Sequence, residues 1–452
     1  MKSEALSQYF NPVIEQLSHE EILQLQWERL KSQIRYVYRT NPFYQKIFEG
    51  RGITPEDIRS LEDYSNMVPL TTKQDILKDL EDYPPYGSRL GISPEKIVQV
   101  TLTGGTSGLR QEVHALTVLD VELTATAHAW GCYWAGIRRG DVVAYTLPVG
   151  TTAGGLWCYK SLSNQLVNLL SLGMLNTSQR FEFIKRFKAT VLQANPSYLL
   201  RLEEVAREMG MNPKKDFNIK TILTAGEPYP IEWVGEREER WGAKIFEWYG
   251  STQRAMAWTC KLGSRYDGKR GTLHHLSPFV LFETIDRKTG RQVEPGEEGE
   301  IVTTHLYSEA SPILRFATGD KGLLLSHKDC PCGLPFDGYP AGSIARFDDM
   351  LKVKGVNIWP QSVDDEVFRF SEVIEYRGRV FNGPDGREEI TVSLEFAKDV
   401  SEAKKREIFK DLENKLRERA GIRMNIEEAL SHFPEFKDDR SKARRWKDER
   451  RK

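Results

Sequence analysis

The sequence predicts an α/β protein, with a large multi-subdomain N-terminal α/β domain followed by a small α+β domain. Three observations predict it. From about residue 95 short apolar runs alternate with helical stretches; near residue 345 the pattern changes to a compact unit with its own strands and a long charged helix; and 452 residues at 39% hydrophobic content suffice for two or three cored domains. The domains are read as residues 1–345 and 346–452.

The first element is a helix opening at Ser18, whose hydroxyl caps a free N–H while Glu21 reaches back to complete a capping box. Leu23, Trp27, Leu30, Ile34 and Val37 recur at spacings of four and three, one apolar helical face, and the helix stops before Asn41-Pro42. The runs KIVQV, DVVAYTLP, TILTAG, AKIFEWYG, FVLFETID and GEIVTTHL read as strands separated by Gly- and Pro-containing turns, with a helix over Ser178 to Phe187. Strands alternating with helices imply a substantial parallel sheet. In the C-terminal unit MLKVKGVNIWP and EITVSLEF are strand-like, and Ser401 to Ala420 is a charged helix. The last sixteen residues carry nine basic and four acidic side chains, on composition alone a solvated, frayed end.

Composition excludes several function classes. With 64 Lys+Arg against 65 Asp+Glu, the chain lacks the net field of a nucleic-acid binder or of a protein held on anionic lipid. No apolar run approaches the ~18 residues of a membrane span. The start, MKSEALSQYF, lacks the apolar core of a signal peptide, so a cytoplasmic location is expected. Five cysteines make no disulfide framework, and Cys132 and Cys158 sit among aromatic and apolar neighbours as packing residues.

The stretch Thr101 to Arg110, TLTGGTSGLR, follows a strand. Its glycines let the backbone fold around an anion, and its N–H groups and the hydroxyls of Thr103, Thr106 and Ser107 are donors for phosphate oxygens; alone it reads equally as a turn. No Gly-Lys-Ser/Thr follows, so it is not a Walker loop. Further on come TAGEPYP (Thr224 to Pro230), EWYGSTQ (Glu247 to Gln253), PILRFATGD (Pro312 to Asp320) and ARFDDMLKVKGVNIWP (Ala345 to Pro360), each by itself a turn, hairpin end or linker.

Taken in order, TGGTSG, AGEP, YGST, TGD and RFDDMLKVKGVN, with the N-terminal stretch RLKSQIRYVYRTNPFYQKIFEGRGITPEDIRSLEDYSNMVPLTTKQDI, resemble the acyl-adenylate-forming superfamily, in its phenylacetate–coenzyme A ligase branch. The resemblance covers nearly the whole chain. It implies an adenylate-forming enzyme fold with a mobile C-terminal domain. It implies ATP, with product AMP, magnesium and coenzyme A acting on a small carboxylic acid, and a homodimer.

By the same resemblance Thr103, Gly104, Gly105, Thr106, Ser107 and Gly108 would hold the β- and γ-phosphates. Gly226, Glu227 and Pro228 would line the adenine slot, with Tyr249 on the purine face and Gly250, Ser251, Thr252 and Gln253 completing that motif. Asp320 would accept from the ribose hydroxyls, and Arg346 would contact ribose or phosphate. Asp348 would be the hinge, Gly355 would leave room for the pantetheine arm, and Lys442, in Ser441-Lys442-Ala443-Arg444-Arg445, would stabilise charge on the α-phosphate.

Two positions depart from the family: Leu109 follows Gly108 where a lysine is usual, and Gln253 stands where a glutamate is linked to magnesium. A neutral amide is a weaker ligand for a hard cation. These departures keep open a carrier-protein thiol, an amine or another nucleophile as acceptor, beside a non-catalytic adenylate-binding protein. Cys330-x-Cys332 is by itself a weak metal signal. The resemblance adds Cys260 and His274, with His275 as the alternative, to complete a Cys3His structural zinc site; reduced free thiols are the other reading. For the acyl pocket, Tyr145, Gly154 and Gly155 lie in an aromatic- and glycine-rich stretch that suits a flat aromatic or arylalkanoic acid, or equally a packed core.

Overall fold

The computed structural model of the chain describes residues 9–103, 111–150, 153–347, 351–353, 356–383, 387–397, 399–420, 422–430 and 445–450. The helix His19–Thr40 begins with the capping box read from the sequence, Ser18 and Glu21 each accepting from the other's backbone N–H. Its inward face is turned from the expected one. Ile22, Gln26, Leu30, Gln33, Ile34 and Val37 are buried, whereas Leu23 is 39% exposed. The two glutamines explain the rotation, because Gln26 donates to the Ser277 carbonyl at 3.1 Å and Gln33 to the Ser308 carbonyl at 2.8 Å, satisfying loop backbone that the helix covers.

The central sheet has eight strands in the order Gly338–Pro340, Thr272–His275, Met256–Thr259, Lys244–Gly250, Thr221–Ala225, Val191–Gln193, Val142–Tyr145 and Asn168–Ser171. The last five are parallel, and the first three continue antiparallel. Both faces are covered, as parallel strands require. Val118–Trp134 and Ala153–Asn164 lie over one face, around Trp130, Tyr145, Leu223, Phe246 and Trp258. Thr177–Arg186, Pro196–Glu208 and Ile231–Trp241 lie over the other, around Phe181, Leu192, Leu202, Ile222 and Trp233.

A second, antiparallel sheet runs Val280–Ile285, Glu298–His305, Phe316–Leu323 and Ala345–Arg346. The N-terminal helices pack on this part of the chain through Leu30, Tyr44, Phe48 and Tyr64 against Leu281, Leu306 and Leu314. The small C-terminal domain has a sheet ordered Asn425–Glu428, Glu388–Phe396, Val373–Asn382 and Trp446–Asp448, with helices Pro360–Val367 and Glu402–Ala420 around a core of its own. Part of the basic tail is therefore ordered structure and not a frayed end. Trp446–Asp448 pairs in parallel with Val373–Asn382, and Gly378 makes room for it, since a Cβ there would lie 2.4 Å from the Trp446 ring. Among the described residues no helix is long and apolar enough to cross a membrane.

Gly131 sets the distance between the helix Val118–Trp134 and the sheet beneath it: a Cβ at this position would lie 2.0 Å from the Trp258 ring. Gly131→Ala is expected to destabilise the protein by about 1–3 kcal/mol through overpacking, read as a lower urea midpoint.

Candidate active site

Functional side chains collect where the parallel strands end and their loops begin, the usual ligand position in such sheets. Lys244–Gly250 delivers Tyr249, half-buried, whose hydroxyl donates to Asp320 Oδ2 at 2.6 Å. Asp320 is paired in register with Arg346, whose Nε lies 3.4 Å from Oδ1. Gly319, with φ +74°, allows the backbone turn that precedes Asp320, and the Thr318 hydroxyl accepts from Asp320 N at 3.0 Å. Tyr249, Asp320 and Arg346, three residues scattered over the sequence motifs, thus form one cluster. Burial and the Asp320 charge push the Tyr249 hydroxyl well above its ordinary range, so it remains a donor.

After Thr221–Ala225 the chain turns at Gly226, φ +86°, and presents Glu227 and Pro228. Glu227 is buried at the start of the helix Pro196–Glu208, where it accepts from Ser197 N at 3.0 Å and Ser197 Oγ at 2.8 Å. That location suits a carboxylate, because helix N-termini present free N–H groups and a positive dipole end. Tyr229 donates to Glu247 Oε2 at 2.6 Å, and Gly342 N donates to the same oxygen at 2.6 Å, which ties this turn to the segment leading to Arg346. Burial raises Glu247 to about 7.

Gly250, Ser251 and Thr252 form the exposed to half-buried rim of the next turn, and Gln253 points inward. Its side-chain amide nitrogen donates to Glu112 Oε2 at 2.5 Å, and its backbone carbonyl accepts from His305 Nε2 at 2.7 Å. Thr103 and Glu112 clasp each other: Glu112 N donates to Thr103 Oγ1 at 2.9 Å, and Thr103 N to the Glu112 carbonyl at 3.2 Å. Gly104, Gly105, Thr106, Ser107, Gly108, Asp348, Gly355 and Lys442 lie outside the described residues.

Of the acyl-pocket candidates, Tyr145 is buried and donates to the Gly155 carbonyl at 2.6 Å, while a Cβ at Gly154 would stand 3.2 Å from the Trp248 ring. Sequence reading missed the polar groups here. His128 is fully buried, edge-on to Trp248 and Trp258 at 5.0 and 5.8 Å between centroids. Neither of its ring nitrogens, nor either amide atom of the buried Gln193, has a hydrogen-bond partner within the described protein. Gln193 is paired in register with Tyr145 and so shares its sheet face. Orphaned donors and acceptors in such a place are a mark of a ligand or water site. A histidine in the apolar run TATAHAW was the available signal.

Cys260, His274, Cys330 and Cys332 converge, their ligand atoms all within 4.8 Å of one another. Cys260 Sγ and Cys330 Sγ are 3.8 Å apart, and Cys332 Sγ is 3.4 Å from His274 Nε2. Two sulfurs each about 2.3 Å from one tetrahedral ion stand about 3.8 Å apart, so the donor set fits a closed tetrahedral site. The Phe336 carbonyl accepts from His274 Nδ1 at 2.7 Å, which leaves the Nε2 lone pair toward the cysteines. His275 faces the other side of the strand, stacked on Phe282 at 4.3 Å.

His114, buried on the strand Val113–Leu116 with its Nε2 3.3 Å from Glu112 Oε2, gives the stability a pH response of definite sign. Burial lowers His114 from 6.5 to about 4. A histidine depressed on folding contributes stability in full above its unfolded pKa, and that contribution is lost as pH falls toward the folded value. Urea midpoints are expected to drop between pH 6.5 and 4, His114 alone accounting for about 3 kcal/mol of stability, and His114→Gln to flatten that slope.

The AMP-binding enzyme family profile matches residues 54–305, and the AMP-binding enzyme C-terminal domain matches residues 355–450. A phenylacetate–coenzyme A ligase of Aromatoleum evansii is 30% identical over 355 residues, which is 78% of this chain and 76% of that protein. The crystal structure of a 2-hydroxyisobutyryl-CoA ligase in its postadenylation state superposes with a TM-score of 0.88 at 24% identity, covering 99% of this chain and 94% of the other. The same ligase with 2-HIB-AMP and CoA in the thioesterification state gives 0.72 at 24% identity, with the same coverage of 99% and 94%. The chain belongs to the AMP-binding enzyme family, on its phenylacetate–coenzyme A ligase branch.

Proposed function

We propose that the chain is an ATP-dependent, AMP-forming ligase that activates a carboxylic acid and passes the acyl group to coenzyme A. The observation that carries this reading is Asp320, a carboxylate fixed by Tyr249 and Arg346 beside the end of the strand Lys244–Gly250. A fixed carboxylate accepts two vicinal hydroxyls well, which is what a ribose offers. Glu227 and Pro228 then flank the adenine and Tyr249 packs beside it. The triphosphate reaches the loop 104–108, and magnesium, when bound with the nucleotide, neutralises charge there.

In the first step a carboxylate oxygen of the acid attacks the α-phosphorus in line. The bond to the bridging oxygen breaks, pyrophosphate leaves, and the acyl adenylate remains. Lys442 meets the charge growing on the α-phosphate. Arg445, three residues further on, is held by Glu375 at 2.7 Å and also feels the charge of Glu227, which supports bringing the tail to the nucleotide. In the second step the small domain, residues 346–452, turns about Asp348 and Gly355 lines the thiol's approach. The thiol sulfur attacks the acyl carbon, its proton passes to solvent, and AMP leaves with the electron pair. Positioning and charge neutralisation suffice, with no covalent enzyme intermediate.

The acid is aromatic or arylalkanoic in this reading. Tyr145, Trp248 and Trp258 with the close-packed Gly154 support a flat apolar slot, and His128 and Gln193 offer hydrogen bonds within it. Cys260, His274, Cys330 and Cys332 hold a structural zinc that clips the strand Thr272–His275 to the loop after Leu325. Closed sites of this kind stabilise folding and leave no position for substrate.

The test is AMP and pyrophosphate release from ATP with aromatic, arylalkanoic and short aliphatic acids, each with and without coenzyme A. One acid is expected to give AMP release that coenzyme A strongly accelerates; pyrophosphate release indifferent to coenzyme A would move the acceptor to another nucleophile. Lys442→Ala is expected to slow adenylation about 10²-fold while thioester formation from supplied acyl adenylate persists. Elemental analysis of freshly purified protein is expected to find about one zinc per chain, lost in Cys332→Ser; less than half an equivalent in the parent protein removes the site.

A further inference from the structure

The face of the central sheet beneath the helices Val118–Trp134 and Ala153–Asn164 is mainly apolar, yet it holds polar groups that nothing in the described protein satisfies. His128 and Gln193 are both 0% exposed. The two ring nitrogens of the one and the amide nitrogen and oxygen of the other all lack a partner. So do the indole N–H groups of Trp248 and Trp258, the two rings that His128 meets edge-on. Buried polar groups are nearly always paired, because one left unpaired gives up its hydration for nothing. Burial pushes the His128 imidazole down to about 3, so the ring is neutral and offers one donor and one acceptor.

Strand register places these groups relative to the turns that the nucleotide reading uses. Gln193 pairs with Tyr145 on one side and with Leu223 on the other; Leu223 pairs with Phe246, and Ala225 with Trp248. Directly paired residues share a face, and Tyr145, Leu223, Ala225, Phe246 and Trp248 all pack in the core under the two helices. Ala225 and Trp248 are followed at once by Gly226 and by Tyr249-Gly250. The unpaired groups therefore lie along one sheet face that runs directly into the proposed adenine turns, with Ala225 the smallest side chain of the row between them.

We infer that His128 and Gln193 determine specificity for an acid that carries a hydroxyl on its ring, beyond the carboxylate that is activated. This rests on the ligase reading proposed above and narrows its aromatic or arylalkanoic acid to a hydroxylated one. The group recognised must be uncharged, since His128 and Gln193 are both neutral and a buried ion without a counter-charge is costly. It must also accept more than it donates. The imidazole N–H, the carboxamide NH2 and the two indoles are donors, against one acceptor on His128 and one on Gln193. A hydroxyl, with one proton and two lone pairs, matches that balance better than an amine. An unsubstituted ring leaves every one of these groups unpaired, and sites built to hydrogen-bond a substrate reject the analogue that lacks the group.

The test measures kcat/KM for AMP release from ATP by the full-length protein, with coenzyme A present. The acids are benzoic and phenylacetic acid and their ortho-, meta- and para-hydroxy derivatives. One hydroxylated acid is expected to exceed its unsubstituted parent by at least about 10²-fold. His128→Phe and Gln193→Met keep a side chain of similar size and remove its hydrogen bonds. Each is expected to shrink that ratio at least about tenfold, through loss on the hydroxylated acid; a residue that only packs would lower both acids together and leave the ratio alone. If one variant fails to fold, the parent ratio and the other variant decide. An unsubstituted acid used as well as every hydroxylated derivative, or a ratio unchanged in the variants, overturns the inference and leaves the ligase reading standing. Neither AMP nor pyrophosphate release with any of the acids overturns the ligase reading, and the inference with it.

Discussion

One buried ion pair, Asp120 with Arg254, joins the three parts of the large domain that the site requires. Asp120 completes the capping box of the helix Val118–Trp134. The same carboxylate accepts from Arg254 Nη1 at 3.0 Å and from the backbone of Glu309 and Ala310 at 3.1 and 3.0 Å. Arg254 in turn reaches His305 Nδ1 at 3.0 Å and the Ser308 hydroxyl. The helix above the sheet, the turn that carries Gln253 and the connection between the strands Glu298–His305 and Phe316–Leu323 are thereby fixed to each other. Burying two charges is favourable only when every lone pair and proton is used, and removing one partner of such a pair costs about 3–5 kcal/mol. Here the backbone N–H groups share the charge of Asp120, and with Arg254 they hold its carboxyl low in spite of burial. Arg254 adopts φ +59°, a left-handed backbone that a side chain avoids, and these contacts hold it there.

How much of this was legible in the sequence depends on the range of the interaction. Local chemistry was legible: the capping box at Ser18 and Glu21, the strand runs ending in Ala225 and Gly250, and the long helix Glu402–Ala420. Motif order, and with it the family, was legible too, because AGEP, YGST and TGD are short segments that turn at strand ends. What motif order does not contain is which side chains meet. Tyr249 and Asp320 are 71 residues apart and Gln253 and Glu112 are 141 apart, so their contacts follow from sheet order and not from spacing. The inward face of the helix His19–Thr40 was misread because two glutamines are buried in place of Leu23, and period alone cannot weigh a loop carbonyl that needs a donor. The strand Val373–Asn382 was missed because Glu375 and Arg379 interrupt its apolar pattern and find their partners, Arg445 and Glu449, in the tail, and the strand Trp446–Asp448 was hidden in a basic composition. The cysteines illustrate the middle case. Their residue types were read from the family likeness, but the choice of His274 over His275 needed strand pleating, which sends neighbouring side chains to opposite faces.

The two sides of the 112 and 253 pair are built alike. On one side Arg89 donates to His114 Nδ1, and His114 Nε2 donates to the Glu112 carboxylate. On the other, Arg254 donates to His305 Nδ1, and His305 Nε2 donates to the backbone carbonyl of Gln253. In each arm a guanidinium fixes which imidazole nitrogen carries the proton, so that the histidine delivers a single donor in one direction. Burial lowers both histidines, and the neighbouring arginines lower them further, so both are neutral at pH 7. Neutrality matters to the charge of the site. Were His114 protonated, it would put a second cation against Arg89 and offset the Glu112 charge. Held neutral, one ring orients the Glu112 carboxylate and the other the backbone of Gln253, without altering the net charge. The Glu112 charge is thus held by neutral donors on one oxygen and by the Lys73 ammonium, 4.0 Å away, on the other, while Arg89 is satisfied by the carbonyls of Ser311 and Pro312.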